Sequence, residues 1–168
     1  MSLFLQKSSR LFHPAHHLWL RATPIGLSAG VKNAQTYCLE IGLTQRGLDD
    51  IGDMTLVMPM VQKETQIHEG HDLLRIDWEA HSITSADELY HTVWDSFSGV
   101  TPILSPVSGT VKEVNVVPPT SSIDEDTVLV KVTATEQEWE SARKTALVKE
   151  PEYMGILRSI PAGKFADA

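Results

Sequence analysis

The chain has one cysteine, Cys38. No internal disulfide can form, which fits a reducing compartment. No apolar run approaches the roughly 18 residues that a membrane-spanning helix needs. There is no nucleophile–base set, no metal-ligand spacing and no glycine-rich phosphate loop, and these absences argue against an enzyme. No cofactor, metal or small-molecule substrate is expected. Residues 1–39 contain no acid, and no lysine lies between Lys63 and Lys112. Both gaps bear on function.

What is present is a chain of 168 residues with a net charge of −8. That length suits one domain with a sizeable core and extra ends. The charge is uneven. Residues 1–39 carry Lys7, Arg10, Arg21 and Lys32, whereas residues 40–98 carry 12 acids against Arg46, Lys63 and Arg75. An acidic middle disfavours nucleic-acid phosphates as the main contact. It leaves room for a place in a large complex, where a basic partner protein faces it. The acid-free start resembles a mitochondrial or plastid leader in composition, and an ordinary basic tail reads the same way. A domain beginning near Leu11 leaves about ten residues before it, which is short for a leader.

Hydrophobic period then sets the elements. Leu74, Ile76 and Trp78 alternate with Arg75, Asp77 and Glu79, the mark of a half-buried strand. Tyr37, Leu39 and Ile41 alternate likewise. Residues 22–34 read as a loop, and Met54 to Met60 as a strand closed by Pro59, with its methionines as core filler. Met58-Pro59-Met60 has a faint likeness to the Met-Lys-Met of biotinyl domains, without the lysine. Val128, Val130 and Val132 predict a strand over 127–133. Thr135-x-x-Glu138 is a capping box, followed by Trp139, Ala142, Ala146 and Leu147 on one helical face. Pro151 stops or restarts that helix. His13, His16 and His17 have no acid or cysteine nearby to complete a metal site, so they read as a solvated turn.

Several short runs occur in a telling order: His17-Leu18-Trp19, Gly42-Leu43-Thr44, Ile51-Gly52-Asp53, Glu69-Gly70 and Ser105-Pro106-Val107-Ser108-Gly109, then the final helix. Together, over about residues 11–157, they resemble the glycine cleavage H protein, of the lipoyl-domain family. The resemblance implies a mainly β fold. It would be a lipoyl-type barrel-sandwich hybrid of two antiparallel sheets with a C-terminal helix, flanked by tails at 1–10 and 158–168. It also implies a lysine at a hairpin tip, a few residues before the Ser-Pro-Val-Ser-Gly run, to carry lipoate. Counting forward from Gly70, that position falls on Ala80. Counting back from Ser105, it falls on Ser98. Neither is a lysine, so the frame of a carrier is expected without its arm.

Between the two placements lies an extra segment. Ser85-x-x-Glu88 is another capping box, Leu89, Tyr90, Val93, Trp94 and Phe97 form an apolar stripe, and Gly99 sits where a helix would stop. The spacing predicts a helix over 86–97, inserted at the hairpin tip within 81–99. Its face packs either on the domain itself or on a partner, with Tyr90, Trp94 and Phe97 as the partner-binding candidates. Three functions follow from the resemblance. The first is a non-catalytic structural or interaction subunit of a mitochondrial multiprotein assembly, such as a respiratory complex or a mitoribosome-type particle. The second is a decoy or regulator that binds lipoate-dependent enzymes such as the glycine cleavage system. The third, an active aminomethyl carrier, is nearly ruled out.

Overall fold

The computed structural model describes residues 10–27, 35–87, 91–115 and 123–163, with backbone alone at 27, 81–87 and 91–96. It is mainly β, in two antiparallel sheets. The first strands are β1 (Leu11–His13), β2 (Leu18–Leu27) and β3 (Gln35–Leu43). A short helix α1 (Gln45–Asp49) leads to β4 (Asp53–Pro59) and β5 (Gln66–Ile67). Then come the two long strands β6 (Asp72–Asp87) and β7 (His91–Leu104). β8 (Gly109–Val114), β9 (Val130–Thr135) and helices α2 (Glu136–Thr145) and α3 (Glu150–Ser159) complete the chain. One sheet has the order β1-β2-β3-β9-β8-β5 and the other β4-β6-β7. Among the described residues neither order closes into a ring.

Period-2 alternation explains the packing. On β2, Leu18 and Leu20 join the main core, while Trp19 between them joins a second cluster with Phe12 and Tyr153. The main core lies between the sheets. Leu39, Ile41, Val130 and Val132 meet Leu74, Ile76, Trp78 and Ile103 there, all nearly inaccessible. Each such side chain contributes about 1.5–3 kcal/mol when fully buried. The second cluster lies on the other side of the larger sheet, where α3 places Tyr153 flat on Phe12 with ring centroids 4.7 Å apart. The helix α2 begins with the full Thr135/Glu138 capping box and buries Trp139 and Ala142. Pro151 stands in the first turn of α3, so it restarts a helix, where its missing N–H is harmless.

Three expectations are corrected. Residues 22–27 are strand, not loop: β2 continues past its contact with β1, with a bulge between Pro24 and Gly26. Pro24 is tolerated because it lies past the β1 pairing, where β2 is an edge among the described residues. The methionines of β4 are not core filler, since Met58 and Met60 are exposed and only Met54 packs against the core.

The largest correction is the inserted helix. The described part of 86–97 is β strand: β7 starts at His91 and pairs with β6 from Asp87↔His91 to Ala80↔Phe97. Residues 88–90, and with them Tyr90 and the capping Glu88, lie outside the described residues. A helix this short is marginal alone. Thr92, Val93, Trp94 and Phe97 are strand formers, and β6 offers a ready ladder. Gly99 is no helix stop. It sits mid-strand opposite Trp78.

Two glycines face tryptophans in the same way, Gly42 opposite Trp19 and Gly99 opposite Trp78. A Cβ at either glycine would overlap the indole lying across it. Gly42→Ala and Gly99→Ala should each cost about 1–3 kcal/mol through overpacking. Urea unfolding of the two variants checks this, and unchanged midpoints would show that the indoles do not lie on those glycines.

Candidate functional site: the long hairpin

The hairpin β6–β7 is the longest paired unit among the described residues, and both placements that the resemblance implies for a carrier lysine, Ala80 and Ser98, fall on it. Glu79 pairs with Ser98 and Ala80 with Phe97, so the two placements lie on adjacent rungs. Two alignments that disagreed along the sequence therefore meet at one level of the hairpin. That level is not a tip. The ladder continues from His81↔Ser96 to Asp87↔His91. The described part of 81–99, expected as an insert, continues the paired strands.

The two positions differ in surroundings. Ala80 is buried, and a Cβ built on Gly52 would come within 2.9 Å of its own Cβ. A long side chain there would have to displace the Gly52 turn. Ser98 is exposed on the opposite face, beside Glu79. Lys63 is exposed in the loop before β5, away from this rung, as expected of a solvated loop lysine.

Of the partner-binding candidates, Phe97 is 42% exposed. Trp94 pairs with Ile83 on the ribbon. Positions 94 and 97 are three apart on one strand, so the helical stripe drawn through them has no counterpart in a pleat of period two. The hairpin is anchored at its base. Gly70, at φ +87°, donates its N–H to the Ser105 carbonyl at 2.8 Å, and Ser105 donates to the His71 carbonyl at 2.8 Å. The buried Ser105 hydroxyl donates to the Val107 carbonyl at 2.6 Å. These bonds account for Gly70 and for the Ser-Pro-Val-Ser-Gly run structurally.

A polar cluster that sequence reasoning missed lies under α3. The Tyr153 hydroxyl meets Thr44 Oγ1 at 2.8 Å and His17 Nδ1 at 2.9 Å. Thr44 also caps α1, accepting from the Gly47 N–H, and its hydroxyl donates to the His17 carbonyl at 3.0 Å. His13 is buried and stacks on His16, so the turn is not simply solvated. Only the Thr44 cap had a local signal. Tyr153 is 109 residues from Thr44 in sequence, and no short motif links them. Among the described residues no His, Cys, Asp and Glu group could hold a metal.

No protein-family model, curated protein or solved structure matches the chain.

Burial lowers the His13 and His17 pKa values from the ordinary 6.5, with His16 adding repulsion at His13. At His17, Asp50 opposes the shift while Arg46 and His16 reinforce it. Just below pH 6.5 the unfolded chain therefore binds protons that the folded chain refuses. Stability is full above that pH and falls as pH drops towards the folded-state values. Urea melts between neutral and mildly acidic pH test this, and Tyr153→Phe should lower stability by about 0.5–1.5 kcal/mol through the lost hydroxyl bonds. A midpoint that rises on acidification through this window would contradict the assignment.

Proposed function

We propose that this protein is a non-catalytic interaction subunit built on an H-protein-like, lipoyl-type frame that has lost its lipoyl arm. It serves in a multiprotein assembly on the matrix side of mitochondria, or in a plastid. One observation carries the reading. Both positions that the family frame assigns to the carrier lysine, Ala80 and Ser98, fall on adjacent rungs of one hairpin, and neither offers an amine. Lipoylation forms an amide on a lysine ε-amine, and the interval from Glu64 to Val111 has none. The ribbon beyond that level gives the hairpin a reach that a carrier loop does not need. A decoy that still engages lipoate-dependent enzymes shares the missing lysine, and copurification separates the two readings.

Intact-mass measurement on native protein should find no lipoyl increment. An increment mapped to Lys63 or Lys112 would overturn the reading. Affinity capture of the native protein should return a stoichiometric multiprotein particle. Capture of glycine decarboxylase in its place would favour the decoy.

The ribbon residues give the second test. Aromatic side chains dominate many interfaces, at about 2 kcal/mol or more each. The double substitution Trp94→Ala and Phe97→Ala should release the protein from its assembly with little change in its melting. Loss of several kcal/mol of stability with normal assembly would make these residues part of the fold instead.

A further inference from the structure

We propose that the outer face of the β4-β6-β7 sheet binds a basic amphipathic helix of a partner protein, a proposal that rests on the interaction-subunit reading. On β6, Leu74, Ile76, Trp78 and Ala80 point into the core, so Arg75, Asp77 and Glu79 point out. Cross-strand partners share a face. The rows on the outside are therefore Met58–Arg75–Pro102, Leu56–Asp77–Val100 and Asp53–Glu79–Ser98. Val100 is 58% exposed, Met58 43% and Leu56 42%. This face thus carries three of the exposed large apolar side chains of the described residues, Leu56 and Met58 on β4 and Val100 on β7, with charge between them on β6.

Among the described residues the central charge is acidic and uncompensated. Arg75 is held by Asp72 at 2.9 Å. Asp53, Asp77 and Glu79 have no ion pair among the described residues. Asp53 and Glu79 stand directly opposite each other, a like-charge pairing that destabilises a sheet. A cationic stripe laid between the apolar columns relieves that repulsion. The dimensions choose the occupant. β4 and β7 are two strand spacings apart, about 10 Å, and a helix with its side chains is about 10–12 Å across. A strand added along β7, an edge strand among the described residues, would lie beyond Val100 and leave Leu56 and Met58 uncovered. A second copy of this chain would bring acid against acid.

The test uses the full chain, labelled for NMR, and a synthetic helical peptide with a lysine stripe flanked by leucines. Shift changes should centre on Leu56, Asp77, Glu79 and Val100, and binding should weaken as salt rises. The double variant Asp77→Asn and Glu79→Gln should melt at or slightly above the parent temperature, as the Asp53–Glu79 repulsion is relieved, and bind at least about tenfold more weakly. Leu56→Ser with Val100→Ser should weaken binding comparably. Equal affinity in these variants, equal binding of a glutamate version of the peptide, shifts confined to the β7 edge or scattered, or no binding would each overturn the proposal. A lipoyl increment on the native protein would remove the functional reading while leaving a peptide-binding face in place; absence of binding with no increment would do the reverse.

Discussion

The register of β6 against β7 is the constraint on which the account depends, and Trp78 holds it. Its indole lies across Gly99 and donates Nε1–H to Thr101 Oγ1 at 3.0 Å. A slip of one residue would turn Leu74, Ile76 and Trp78 from the core to solvent. That penalty far exceeds what any surface ion pair on this sheet could return. With the register held, Glu79 meets Ser98 and Ala80 meets Phe97, and the acidic column falls between Leu56 and Val100. The rung on which Ala80 and Ser98 meet and the β7 half of the outer face follow from one indole resting on one glycine.

The larger sheet is organised by the same device. Trp19 lies over Gly42 and separates the two cores, because its neighbours Leu18 and Leu20 face the other sheet. Arg10 covers the open side of its ring at 4.1 Å and is itself held by Asp126. The helix α3 then closes over Phe12, with Tyr153 bonded to the Thr44 cap. A basic residue from the start of the chain and an acid from the loop before β9 thus meet over a tryptophan of β2.

Much of this was legible because it is local. The alternation in 74–78 and 37–41, the Thr135/Glu138 cap and a stop or restart at Pro151 all predict what forms. The failures share a cause. Ser85-x-x-Glu88 and the stripe through Phe97 satisfy a helix template, but the segment's backbone bonds come from β6, which no local window contains. Pro24 and Gly26 signal a loop, yet an edge strand with a bulge, where Gly26 takes φ +134°, accommodates both. Met58 and Met60 suit a core, but β4's outer face is one that nothing described here covers. Of the candidate site, the sequence makes legible that the lysine is absent. It leaves open which of Ala80 and Ser98 the resemblance points to, because the two placements meet only when the strands are paired.

Backbone chemical shifts and cross-strand NOEs over residues 78–99 test the central claim most directly. A continuous ribbon predicts extended shifts on both strands and contacts between the 80 and 97, 82 and 95, and 86 and 92 amide pairs. Helical shifts over 86–97, with strand pairing ending at Ala80 and Ser98, would contradict it and put those two residues at the tip of a hairpin.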